Sequence, residues 1–317
     1  MNSASFDQTA YLGRASGAAD PARIPVWKCL MLFILGASWG LQFTLLKVAT
    51  DAQLGECAIL MVSMFLLAAC CLCVLAWQRA WFRPTPRHLR FFFLSSLFGL
   101  VFPLGAITLA ANYLSAGLIV LFESMTPVFT VAIVSALRTE PVSPERRVAL
   151  VLGIVSVLIV GGQQISSSEI CSLTGLLLAL IVPLVYAIDG IYVASCRPSD
   201  LRITQVVTGE AMAGTLILLP FFVWSGERLP PLENWGQGHW ALTVFVLISL
   251  FEMFLYFGLL KIAGPLYVSM ASFLSLLAGL GWGMVLLGET YSPYVWLAVG
   301  LVFISLYLVM VKGSSIA

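Results

Sequence analysis

The chain has 317 residues, of which 60% are hydrophobic and only 10% charged, against roughly 45–50% and about 25% in an ordinary soluble domain. With a mean hydropathy of +1.00, a soluble globule has too little polar surface to cover this much apolar side chain, which excludes a soluble enzyme, a disordered chain and a nucleic-acid binder. A net charge of +1 from 16 basic and 15 acidic residues excludes a general polyanion-binding role.

In chain order, residues 1–25 are polar, rich in Ala, Ser and Gly, and carry Pro21 and Pro25. They read as a flexible cytoplasmic tail, and the missing pattern of a short apolar core with a small-residue cleavage site predicts no cleaved signal peptide. A helix needs about 20 mostly apolar residues to cross about 30 Å of hydrocarbon. That ruler predicts ten spans, at 27–47, 55–76, 89–110, 116–136, 147–163, 173–195, 203–224, 240–260, 266–287 and 294–311. The fifth is short, and only the turn Ala111 to Ser115 separates the third from the fourth. Long unbroken apolar runs, rather than alternating segments of about ten residues, predict helices and not a membrane barrel. The expected fold is an all-α polytopic membrane protein.

Lys and Arg in short loops mark the cytoplasmic side. With the N-terminus inside, 14 of the 16 fall on that side, leaving Lys47 and Arg228 outside. A miscount of one span scrambles the pattern, so the asymmetry supports ten spans with both termini in the cytoplasm. The seven cysteines are Cys29, Cys57, Cys70, Cys71, Cys73, Cys171 and Cys196. Most lie in or beside apolar helices, where free Cys behaves as a small hydrophobe. Residues 70–73 form no metal set, because successive helical positions point about 100° apart and no His is near. Cys57 and Cys171 both fall on the outer side, where a disulfide between them is one reading.

Shifting the chain by 149 places residues 137–160 on 286–309 with eight of 24 positions identical, including a shared Glu-x-x-Ser-Pro at Glu140 and Glu289. At an offset of 147, Trp39 and Gln42 fall on Tyr186 and Asp189. Each half thus carries five spans, 27–163 and 173–311. Five is odd, so the second half enters the membrane from the opposite side, the inverted-topology repeat common in secondary transporters.

Ionisable groups inside a bilayer are costly and point to function. Glu123 lies about 12 Å into the fourth span and Glu252 about 18 Å into the eighth, at 1.5 Å per residue. Both suit binding of a cationic or amino group, or carriage of a proton. Thr126 and Thr130 share the face of Glu123 at helical spacing. Pro127 withholds the backbone donor that the Glu123 carbonyl would otherwise receive, so a free carbonyl is expected beside the carboxyl. Gln42 and Asp189 suit gate or pocket-rim roles in opposite halves. Glu210 reads as a helix–helix contact. Trp39, Tyr186, Tyr256 and Trp282 offer rings for stacking or cation–π contact. Pro103, Pro127, Pro183 and Pro220 are expected to interrupt helices and expose backbone at a cavity. Gly36/Gly40 and Gly279/Gly283 have the spacing that permits close helix packing.

The segment ASWGLQFTLLKVA at 37–49 resembles the Trp-Gly signature of the first helix in the drug/metabolite transporter superfamily, EamA-like branch. Residues 108–162 resemble its helix 3–4–5 block, with a Ser-Ala turn, a Pro-containing fourth helix and a Glu-x-x-Ser loop, and 258–309 repeat a looser version. Leu276 stands where symmetry expects the counterpart of Pro127, and Arg138-Thr139 precede Glu140 where Leu287-Gly288 precede Glu289. The resemblance implies a ten-helix carrier in a bacterial inner membrane that exports small metabolites, amino acids or drugs through a central pocket. The implied partners are a small-molecule solute and the lipid bilayer, with no cofactor, metal or catalytic residue.

An enzyme would need a nucleophile with a base or a metal set. His88 and His239 lie near opposite faces, and no metalloprotease or phosphate-loop motif occurs. A channel or a non-transporting receptor or scaffold is the alternative to a transporter. The repeat favours alternation over a fixed pore, and no predicted loop or tail exceeds the N-terminal 25 residues.

Overall fold

The structure, a computed structural model, describes residues 26–136, 144–166, 170–228, 235–263 and 271–310. Among them there is no strand. The helices are α1 (Val26–Asp51), α2 (Glu56–Trp77), α3 (Pro86–Ser96), α4 (Phe102–Ala110), α5 (Ala116–Glu123), α6 (Thr126–Ala136), α7 (Pro144–Ser166), α8 (Ile170–Cys196), α9 (Ile203–Ser225), α10 (Gln237–Ala263), α11 (Ala271–Leu287) and α12 (Pro293–Met310). Seven stretches are long and apolar enough to cross a membrane, and Arg147–Ser156, Ala271–Leu287 and Pro293–Leu308 are shorter apolar helices. Large apolar side chains such as Phe33, Leu158, Leu216, Val285 and Tyr307 are exposed, as expected where lipid replaces water.

The third span is continuous from Pro86 to Ala110 but contains a π-turn, Leu97–Val101, between α3 and α4. Pro103 cannot donate to the carbonyl four residues earlier, and the wider turn absorbs that missing bond. The fourth span does break, at Ser124-Met125 between α5 and α6. By contrast α8 and α9 run through Pro183 and Pro220 without interruption. The expectation of a break at those two prolines is therefore corrected: neighbouring turns keep the helix where one bond is lost. The fifth span, α7, is longer than its apolar part predicts, because Pro144 and Glu145 start the helix ahead of the apolar run. Helix also covers most of 163–172, the stretch between the fifth and sixth predicted spans, and only 167–169 lie outside the described residues there.

Packing follows a regular pattern. The first span (α1) lies against the eighth (α10) and ninth (α11), and the sixth (α8) lies against the third (α4) and fourth (α6). The second and seventh pair (α2 with α9), as do the fifth and tenth (α7 with α12). Replacing every predicted span by the one five places away maps this set of contacts onto itself, the pattern expected of a chain built as two repeats. Hydrogen bonds tie the self-equivalent pairs: Thr208 donates to the Cys71 carbonyl at 3.4 Å, and Ser305 to the Ala149 carbonyl at 2.7 Å. The main core gathers between the repeats, around Leu46, Ile107, Val120, Phe122, Leu276 and Leu306.

α1 and α11 approach backbone to backbone. A Cβ on Gly40 would run into the Gly279 amide and Ser275 carbonyl, and one on Gly36 into Leu274 and Ala271. Only glycine permits this approach.

Candidate functional site

The residues singled out by sequence fall into two groups that share one plan. In the first, α1 presents Trp39 and Gln42 at i and i+3, and α10 presents Glu252 and Tyr256 at i and i+4, so each pair lies on one face. The Gln42 amide donates to the Ser249 hydroxyl at 3.1 Å and to Glu252 Oε2 at 2.5 Å. Glu252 is buried, and its other oxygen, Oε1, has no hydrogen-bond partner. Ser38 stands beside this carboxyl, but its own hydroxyl donates to the Ile34 and Leu35 carbonyls. The rings of Trp39 and Tyr256 are 6.1 Å apart and tilted by 37°.

The second group uses α8. Asp189 accepts from the Ser95 hydroxyl of α3 at 3.1 Å, and Ser95 also reaches Glu210 of α9. Gly99, inside the π-turn, faces the Asp189 carboxyl so closely that a Cβ there would lie 2.7 Å from Oδ2. Tyr186, one turn before Asp189, lies in the field of both Asp189 and Glu123. Thus Asp189 and Ser95 join the sixth and third spans as Gln42 and Ser249 join the first and eighth. These are equivalent contacts under the five-span exchange. Ser249 and Ser95 carried no signal at the offsets of 147 and 149; an offset of 154 aligns them.

Glu123 closes α5 and is partly buried. Its backbone departs from expectation. The Thr126 hydroxyl donates to the Glu123 carbonyl at 2.7 Å, and Thr130 donates to the Thr126 carbonyl at 2.9 Å. The carbonyl orphaned by Pro127 is therefore satisfied by the adjacent side chain, and only the carboxyl is left for chemistry. Trp282 of α11 donates its indole N–H to the Ala37 carbonyl at 3.0 Å, which ties α11 to α1.

The Glu-x-x-Ser-Pro segment at 289–293 proves to be a cross-repeat cap. Gly288, at φ 66°, ends α11, and the Glu289 amide turns back to the Gly283 carbonyl at 3.1 Å. A glycine at positive φ commonly ends a helix, and here the returning bond is one residue wider than the usual six-to-one closure. The Glu289 carboxylate then accepts from the amides of Ala116 at 2.7 Å and Gly117 at 3.2 Å, at the start of α5. Orphan amides and the positive end of the helix dipole favour a carboxylate at this place. Tyr291 donates its phenol to the same carboxylate. Burial, and then the Glu289 carboxylate beside it, push the Tyr291 phenol above its ordinary range and keep it a donor. The equivalent Glu140 lies outside the described residues. Other polar ties gather at this end of the bundle. Lys47 pairs with Asp51 at 3.0 Å and donates to the Ala111 carbonyl at 2.5 Å. Asn112 donates to Glu56 at 3.0 Å, and Glu227 accepts from the Ala58 amide at 2.8 Å. Of the proposed disulfide partners, Cys57 is a free thiol, and the side chain of Cys171 lies outside the described residues.

Helices that span a membrane, a two-repeat packing pattern and buried polar pairs where the repeats meet define an integral membrane protein of the solute-carrier type. The sequence pattern of the EamA-like transporter family matches residues 26–162 and again 173–311, and the chain belongs to that family. Its members are membrane transporters of the drug/metabolite type, not enzymes. No curated protein matches the chain in sequence. A solved structure, titled only as the crystal structure of a protein, matches with a TM-score of 0.57 at 15% identity, covering 92% of this chain and 99% of the other. That likeness concerns the fold.

Proposed function

We propose that this chain is a secondary transporter of ten membrane spans, two inverted five-span repeats, that exports small metabolites, amino acids or drugs by alternating access at a central cavity. The cavity uses Glu123, Glu252, Gln42, Asp189, Trp39, Tyr186, Tyr256 and Trp282. The observation that carries this reading is the pair of equivalent polar contacts, Gln42 with Ser249 and Asp189 with Ser95. Two halves that make the same contact on opposite sides can exchange arrangements, opening one site first to one face and then to the other. The distribution of Lys and Arg supports cytoplasmic termini, and the family resemblance favours a bacterial inner membrane. Exporter polarity follows the family resemblance. Its solutes are small organic molecules, and the carrier works without a cofactor.

Counterflow in proteoliposomes tests the mechanism. Vesicles preloaded with unlabelled amino acids, metabolites or drugs should accumulate the matching labelled solute transiently and saturably. Conductive, unsaturable leak would instead indicate a channel, and no flux with any solute class would return the chain to a receptor or scaffold role.

A further inference from the structure

Four carboxyl groups lie within the described spans away from their ends: Glu123, Asp189, Glu210 and Glu252. The described Lys and Arg residues sit at helix ends or beyond them. Lys28 is in the first turn of α1 and donates to the Ile262 carbonyl at 3.1 Å. Lys47 is in the last two turns and pairs with Asp51. Arg87, Arg90 and Arg147 open α3 and α7, and Arg197 and Arg202 lie between α8 and α9. Among the described residues the middle of the bundle therefore carries acidic groups and no Lys or Arg to pair with an anionic solute.

The first polar group adds a specific vacancy in its hydrogen bonding. Both hydrogens of the Gln42 amide are committed, one to Ser249 and one to Glu252 Oε2. The Gln42 amide thus has no hydrogen left for the carboxylate of a zwitterion. Glu252 is 5% exposed, and its Oε1 is a buried acceptor with no donor. A buried carboxylate needs both a counter-charge and a hydrogen-bond donor, and a protonated amine supplies the two together. One helical turn away along each helix, Trp39 and Tyr256 lie together with their rings 6.1 Å apart, and such rings hold a cation and the carbon skeleton beside it.

We propose, resting on the transport reading above, that Gln42 and Glu252 form the head-group site for a solute bearing a protonated primary or secondary amine on an aromatic-sized apolar body. The amine donates to Glu252 Oε1, Gln42 holds Oε2 in place, and the Trp39–Tyr256 pair covers the body. Glu252 supplies the charged contact.

The test is equilibrium binding to purified full-length protein in nanodiscs. The probes are tryptamine and phenethylamine, with 3-ethylindole as the neutral and indole-3-propionate as the anionic shape control. Both amines should bind saturably, and both controls at least about tenfold more weakly, a gap of about 1.4 kcal/mol. In monodisperse protein, Glu252→Gln should weaken amine binding by about tenfold or more, while Asp51→Asn at the helix end keeps wild-type affinity. Trp39→Leu leaves the carboxyl in place and should weaken amine binding by roughly three- to tenfold through the lost ring. It decides the matter if Glu252→Gln does not fold. Wild-type amine affinity in either variant, controls that bind as tightly as the amines, or no amine binding at all would overturn the proposal. Amine binding that fails to support tryptamine counterflow would keep the site and overturn the transport reading instead.

Discussion

At the scale of single residues, buried polar atoms decide what each side chain can do. Gln42 contributes by holding one oxygen of Glu252, and its loss strands a buried acceptor. Removing one partner of a buried hydrogen bond costs about 1–3 kcal/mol. Gln42→Leu should therefore lower the melting temperature in detergent more than Gln42→Glu paired with Glu252→Gln, which preserves one donor and one acceptor. Glu123 plays a different part. With its carbonyl already bonded by Thr126, Glu123→Gln perturbs only the carboxyl. The variant should insert and melt as wild type, yet lose most transport or most of its pH dependence. Wild-type uptake across pH 5.5–8, at equal protein level, would assign the residue to packing. Glu123 was visible in the sequence as a charge in an apolar run. Its hydrogen-bond state was not, because a Thr hydroxyl reaches the carbonyl three residues earlier in only one of its rotamers.

At the scale of elements, two devices join the repeats. One is the backbone approach of α1 to α11 at Gly40, where a methyl group meets backbone rather than a flexible side chain. Backbone cannot give way cheaply, and overpacking of this kind costs about 1–3 kcal/mol. Gly40→Ala should reduce thermal stability by that order, whereas Gly300→Ala, with open space around it, should leave it unchanged. The other is the Glu289 cap on α5. Glu289→Ala strands two amide donors and should cost about 1–3 kcal/mol. Glu289→Gln retains a carbonyl acceptor and should lose less, in the same melting assay. The sequence marked the Glu-x-x-Ser-Pro segment as a repeat signal and left its purpose open. The helix that it caps is more than 170 residues away, and local pattern carries no information on that pairing.

At the scale of the whole molecule, the proposed orientation rests on the charge distribution and on the odd number of predicted spans in each repeat. Tags placed after Ser166 or Gly226 should be accessible only from outside the cell, and tags after Arg83 or Arg197 only from inside. Cytoplasmic access to residues 163–172 would sink the inverted-repeat reading, because it places both halves the same way round. The packing pattern already limits the alternatives. The first span meets the eighth and ninth as the sixth meets the third and fourth, so a rearrangement that slides one repeat against the other must renew both sets of contacts together.

Composition and periodicity alone determined that the chain enters a lipid bilayer, that its elements are helices, that it is built twice, and which polar side chains lie deep. These properties are local or additive: hydropathy sums along a helix, and a duplication survives as aligned residues. Only the tertiary structure decided which of the deep polar groups meet. Ser249 and Ser95 became partners of Gln42 and Asp189, the bare backbone of Gly99 left room for Asp189, and Pro183 and Pro220 stayed inside continuous helices. Each outcome depends on how close a second helix comes and at what rotation. Many side chains along two interfaces set that distance together, and no single segment encodes it.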